Sequence, residues 1–188
     1  MTTKIDIFDG TGGNPCDVLV RAVNHLGLFI PDLSYRRFSD SEEFVEELKQ
    51  RVRRDEGRLN ASDIIEKSLN HRAFRNPNRK VILLDEILYD ENGIQRGLAG
   101  GRENRRIAVV SPQELSPSQF YAICLHEMGH LYDATARDCG TSNNMGRHCL
   151  DENCVMYVPA FNQSTRHKMQ NNLPMYCDNC KEGLRRKK

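Results

Sequence analysis

A chain of 188 residues with 27 basic and 26 acidic side chains has a formal net charge of +1, which excludes a global field selecting nucleic acid or an acidic partner. No stretch reaches the roughly 20 apolar residues that a membrane helix needs, and the opening Met1-Thr2-Thr3-Lys4-Ile5-Asp6 has no signal-peptide core, so a cytoplasmic protein that does not use a membrane is expected. In that reducing compartment its seven cysteines, five of them between Cys139 and Cys180, are expected as metal ligands or buried thiols rather than disulfides.

Residues 4–9 alternate apolar and polar and stop at Gly10, the pattern of a strand. Residues 15–26 read as a helix, with Pro15 in its first turn and Gly27 at its stop, and 33–38 as a second strand. From 39 to 54 the residues Phe44, Val45, Leu48 and Val52 recur at helical spacing among charges, and 61–73 reads as another helix. Lys80 to Asp85 is an apolar run suited to a buried strand. Asn92-Gly93 signals a turn, the glycine-rich stretch 97–101 follows, and 106–111 is a further strand. Ser116 can cap a helix that Pro117 opens and Gln119 closes from within, and the pattern carries this helix over about 117–136. Beyond it the chain is irregular, polar and rich in cysteine. The fold class is α+β, divided into an N-terminal subdomain, 1–132, that carries most of this helix and a C-terminal subdomain, 133–188.

The helix contains His126-Glu127-Met128-Gly129-His130. Residues four apart differ by only about 40° around a helix, so the two imidazoles can hold one ion. They project away from the apolar stripe of Phe120, Cys124, Met128 and Leu131, toward a cleft. Glu127 lies between the two directions, where a carboxylate can take a proton from water and pass it to a leaving amine. Zinc suits this chemistry because it acidifies water and polarises a peptide carbonyl. The bland alternative, two surface histidines and a chance glutamate, is weakened by the capped helix start and by the histidines and cysteines downstream.

Cys149 and Cys154 have four residues between them, and Cys177-Asp178-Asn179-Cys180 is a CxxC knuckle. Two such pairs supply a tetrahedral four-thiolate zinc site, whose binding free energy is also folding free energy in a region short of apolar residues. The alternatives are four free thiols or a redox CxxC, the latter without the surrounding βαβ pattern it needs. His148 and Cys149 are neighbours with diverging side chains, so the pair can serve two different ions and bring them close together.

These motifs resemble the archaemetzincins, a family of metzincin-type zinc peptidases, over roughly residues 80–180. The matching residues are His126-Glu127-xx-His130, then His148-Cys149-xxxx-Cys154-Val155-Met156, then Cys177-xx-Cys180. The stretch from Gly97-Leu98-Ala99 to Ala108-Val109-Val110-Ser111 looks like the family's strand pair before the helix. The resemblance implies a small mixed sheet with an active-site helix, followed by a loop-rich zinc-bearing segment. It implies two zinc ions per chain: a catalytic one on His126, His130 and His148, and a structural one on Cys149, Cys154, Cys177 and Cys180. By the same resemblance Glu127 is the general base and Met156 the Met-turn residue beneath the metal. The chain departs from the metzincin pattern after the second histidine, where Asp133 and Ala136 stand in place of a glycine and a third histidine. His148 follows His130 by eighteen residues, so 133–147 reads as an insertion in which Gly140 or Gly146 makes the turn. Asp133, Asp138, Cys139 and His167 compete with His148 as third ligand, and Cys139 could also act as a switch on the open metal position.

Tyr157 can donate to an oxyanion or simply pack. Gly97 to Gly101 lacks the Lys-Ser/Thr of a phosphate loop, while an edge strand there could pair with an extended peptide. Asp85 and Glu86 read as solvated, and His25 and His71 as surface or core residues. Within the basic tail 181–188, Arg185 to Lys188 read as a disordered solubilising end, and the tail's lack of interleaved aromatics argues against nucleic acid. The sequence thus points to a monomeric zinc-dependent peptidase acting on a peptide or protein. The alternative from another class is a non-catalytic two-zinc binding or regulatory module.

Overall fold

The computed structural model describes residues 3–11, 14–38, 41–52, 58–90, 93–102, 105–135, 148–157 and 176–186. Strand β1 (Thr3–Asp9) leads through α1 (Pro15–Leu26) to β2 (Leu33–Phe38), and α2 (Ser41–Val52), β3 (Leu59–Asn60) and α3 (Ala61–Asn70) follow. A 3-10 turn at Arg72–Phe74 precedes β4 (Arg79–Leu83), β5 (Leu88–Asp90), β6 (Gly93–Gln95), β7 (Gly97–Arg102) and β8 (Arg105–Val110). Helix α4 (Pro117–Leu131) and, past the cysteines, α5 (Asp178–Arg185) complete the described elements. The main sheet runs β2-β1-β4-β8-β7, with the first four strands parallel and β7 antiparallel at the edge. A small second sheet joins β3, β5 and β6.

The pleat sends alternate side chains to opposite faces. Ile5, Ile7, Val81, Leu83, Ala108 and Val110 enter one core beneath α1 and α4. Phe8, Ile82, Ile107 and Val109 enter another with α2 and α3. Both faces are therefore buried, the usual state of parallel strands between helical layers. The first core continues through Cys149, Cys154, Val155, Met156, Tyr176, Cys180 and Leu184, so the cysteine-rich segment packs against the same helical layer. The structure is thus a mixed sheet with a long buried helix and a cysteine cluster beyond it.

Several boundaries differ from the pattern reading. α3 stops at Asn70 because His71 is extended, and Arg72–Phe74 turns separately. α4 stops at Leu131 rather than near 136, and Asp133 is left-handed with φ 47°. The strands of the small sheet are two or three residues long, too short to show a period. The basic tail is a correction: its first part belongs to α5, where Lys181 pairs with Asp178 at 2.8 Å and Arg186, the C-cap, with Glu182 at 2.5 Å. Acid at the first turn and base at the last complement the helix dipole. Asn92, Lys187 and Lys188 lie outside the described residues.

Asp85 and Glu86 are not simply solvated. With Glu46 they form a carboxylate cluster around the buried Lys49 ammonium, at 2.5 Å from Glu46, 2.6 Å from Asp85 and 3.2 Å from Glu86. That ammonium already supplies the positive charge which a metal would bring. Among the described residues, no helix is long and apolar enough to cross a membrane.

Candidate metal centres

Helix α4 begins with a capping box: Ser116 Oγ accepts from the Gln119 backbone N–H at 3.3 Å, and Gln119 Oε1 accepts from the Ser116 N–H at 2.9 Å. From Phe120 to Gly129 every residue of the helix is buried. The face expected to open on a cleft is therefore covered at His126 and Glu127, with segment 148–157 beside His126 and β7 beside Glu127, while His130 stays partly exposed.

At the far end two cations satisfy carbonyls that have no partner within the helix. Arg106 Nη1 donates to His130 O at 3.0 Å and to the Asp133 carboxylate, while Arg79 Nε donates to Leu131 O at 2.8 Å. The Arg79 guanidinium also lies 4.2 Å over the Tyr132 ring. Positive charge at a helix C-terminus opposes the dipole there. Asp133 turns the chain directly after the helix, since a short polar side chain tolerates the left-handed region and Arg106 holds its carboxylate. The ion pair also occupies Asp133, a competitor for third ligand. The other competitors, Asp138, Cys139 and His167, lie outside the described residues, as do Gly140 and Gly146.

The structure brings His126, His130 and His148 together. His130 Nε2 stands 3.1 Å from His126 Nε2 and 3.2 Å from His148 Nε2. His126 Nδ1 donates to the Val155 carbonyl at 2.7 Å, which places the proton on Nδ1 and turns the Nε2 lone pair inward. Burial lowers the pKa of His126 to about 4 and, with the neighbouring imidazoles adding to it, that of His130 to about 2. Both rings are thus neutral donors at ordinary pH.

Glu127 is also buried, and burial raises its pKa to about 8 against the opposing pull of the Ala99 backbone N–H. Gly97 is the residue that makes room for it. A methyl group there would come within 2.7 Å of Glu127 Cγ and 2.9 Å of its Oε1. Gly129 performs the same service for Met156: a side chain at 129 would overlap the methionine sulfur and reach Tyr176 Cε1 at 3.2 Å. Met156 lies fully buried beneath the histidine pair's helix.

The second cluster joins Cys149, Cys154, Cys177 and Cys180, each with its sulfur within 4.8 Å of the others. Cys149 and Cys177 sulfurs are 3.6 Å apart and unbonded. Backbone N–H groups aim at the sulfurs: Asp151 at Cys149 (3.4 Å), and Met156 and Cys177 at Cys154 (3.4 and 3.3 Å). The Cys180 thiol and these amides hold Cys154 down at about 6, while giving that hydrogen bond, together with burial, drives Cys180 strongly upward. The cluster thus favours a thiolate even before a cation enters.

Pattern reading missed the backbone partners Val155 O and Ala99 N–H, which have no residue signature, and Tyr176, whose hydroxyl donates to Leu125 O at 2.5 Å. A tyrosine directly before the CxxC was the available signal for the last. Tyr157 bridges the Cys149 strand through its backbone. His25 Nδ1 meets Tyr121 Oη at 2.6 Å and His71 accepts from Ala73 N–H, both away from the imidazole trio.

No protein-family model matches the sequence, and no curated protein does. Among solved structures, the archaemetzincin amzA from Methanopyrus kandleri superposes with a TM-score of 0.67 at 19% identity, over 99% of this chain and 95% of that one. Metalloproteinase-II from Bacteroides fragilis superposes with a TM-score of 0.43, also at 19% identity, over 83% of this chain and 46% of that one. The fold of this chain is archaemetzincin-like.

Proposed function

We propose that the chain is a zinc-dependent peptidase in which His126, His130 and His148 hold a catalytic zinc and Glu127 acts as general base. In this proposal Cys149, Cys154, Cys177 and Cys180 hold a second, structural zinc. One observation carries the reading: three imidazole nitrogens converge at the helix that also carries the buried Glu127, next in sequence to His126, in an archaemetzincin-like fold.

The donor chemistry fits. Three imidazoles leave one tetrahedral position open, as catalytic zinc requires, whereas four thiolates close a structural site. Bound at the imidazoles, zinc would supply Lewis acidity that brings the pKa of a ligated water toward about 7 and polarises a peptide carbonyl. The protein's own part lies with Glu127. Held by the Ala99 N–H and freed of a neighbouring side chain at Gly97, Glu127 would be ionised by a cation at the imidazoles despite its burial, and its carboxylate would then take a proton from the attacking water and deliver it to the leaving amine. The substrate is a peptide or protein, and β7 at the sheet edge offers backbone groups on which an extended segment can add as a strand. Met156 packs under the histidine-bearing turn and keeps Gly129 from shifting.

Replacing Glu127 by Ala tests this. The variant is expected to keep its zinc while turnover of a peptide library falls by about 10²- to 10⁴-fold. Cleavage at the parent rate would refute the base. The burial of Glu127, His126 and His148 favours a second reading, a metal-binding module without turnover. A parent that carries two zinc ions yet cuts no library member would establish that reading instead.

A further inference from the structure

Three of the four cysteines stand next in sequence to a residue that reaches the histidine site. His148, one of the converging imidazoles, precedes Cys149. Val155, whose carbonyl takes the His126 Nδ1 proton at 2.7 Å, follows Cys154. Tyr176, fully buried, precedes Cys177 and donates to the carbonyl of Leu125, the residue before His126. Its ring also lies against Gly129, the residue before His130. Segment 148–157 contains no helix or extended strand; isolated bridges such as Cys149–Tyr157 order it, with Cys149 N–H donating to Met156 O at 2.9 Å. The Cys177 N–H donates to Cys154 Sγ at 3.3 Å, so the two distant pieces meet at the sulfurs themselves.

We propose that the four-cysteine cluster is a clamp that sets the metal affinity of the three-histidine site, and that Tyr176 is its principal positioning residue. The inference rests on both clusters being zinc sites. A ligand imidazole binds well only when its ring is held in the right tautomer and direction, and the partners that hold it are worth about 10- to 100-fold in metal affinity. Here those partners are carried by residues adjacent to the thiolates. Emptying the cysteine site releases the Val155 carbonyl, the His148 ring and the Tyr176 hydroxyl together. Linkage makes the effect mutual, so metal on the imidazoles also tightens the thiolate site.

The test uses the full chain, stripped of metal and reloaded with cobalt or zinc. Thiolate-to-cobalt charge transfer reports the cysteine site, and competition with a chromophoric chelator gives the zinc affinity of the imidazole site. Tyr176→Phe keeps the ring and removes the hydroxyl. It is expected to leave the thiolate band unchanged while imidazole-site affinity falls about 10-fold or more. Cys180→Ser is expected to weaken the imidazole site further, although its own substitution lies outside that site. If Cys180→Ser does not fold, Tyr176→Phe decides alone. Unchanged imidazole-site affinity in a Tyr176→Phe protein with an intact thiolate band overturns the clamp and leaves the peptidase reading standing. A parent that takes no metal at the imidazoles overturns both.

Discussion

The sheet with its covering helices and the cysteine-bearing segments are held by different means. In the first, strands such as β4 are apolar on both faces, and two cores grip them between helices. In the second, segment 148–157 has scarcely any regular structure; Val155 and Met156 reach the first core, and sulfurs, backbone amides and one tyrosine hydroxyl set the remaining positions. Periodic hydrophobicity builds a frame without regard to ligands, whereas the donor-rich part depends on what the donors hold.

The sharpest way to break that contrast is to remove the metal. Chelation with thiol blocking is expected to abolish hydrogen-exchange protection at residues 148–157 and 176–186 while amides of β1, β4 and β8 stay protected. Structural zinc in small peptides supplies about 10–16 kcal/mol of apparent folding free energy. Simultaneous loss of protection in β4 and β8 would show one cooperative unit instead of two. The converse perturbation is Ile82→Ala, which removes a fully buried side chain from the α2–α3 core. It should lower stability by about 2–5 kcal/mol, read by denaturant unfolding, with no change in metal content of the folded protein.

A smaller effect is expected where frame and site touch. Gly97→Ala puts a methyl group within 2.7 Å of Glu127 Cγ. Turnover should fall about tenfold, roughly 1.4 kcal/mol in barrier, with zinc content unchanged. A parental rate would mean that the carboxylate is not held by β7. Smallest is a pH effect at Lys80, which is fully buried and donates to Asn76 O at 2.5 Å and to Asn78 O. Burial lowers its pKa from 10.5 to about 8. Between those values the unfolded chain holds the proton more firmly than the folded one, so stability rises with pH through that window. The gain is expected to be on the order of 1 kcal/mol. Lys80→Met should flatten that part of the stability–pH curve, and an unchanged slope would exclude Lys80 as its source.

Much of the frame was legible in the sequence because its signals are local. β1 shows alternation, β4 and β8 show apolar runs, α2 shows its period, and Ser116-Pro117-Ser118-Gln119 marks the start of α4. The pairing of His126 with His130 needs only helix geometry. The approach of His148, and of Cys149 and Cys154 to Cys177 and Cys180, depends on chain return over tens of residues, and a family resemblance suggested it where periodicity could not. The end of α4 was misread because Arg106 and Arg79, distant in sequence, stop the helix before its apolar pattern runs out. The CxxC hid a helix start, because α5 has only eight residues and draws its support from Cys180 and Leu184 in the core.

The way α4 ends has a consequence for how this region can vary. Arg79, Arg106 and left-handed Asp133 finish the helix locally, and in the proposed clamp the His148 ring is aimed by the cysteine beside it. Neither anchor consults the number of residues strung between them. Closure entropy climbs only as the logarithm of loop size, so adding or removing residues between Thr135 and His148 is expected to cost little, with the distance between the rings kept.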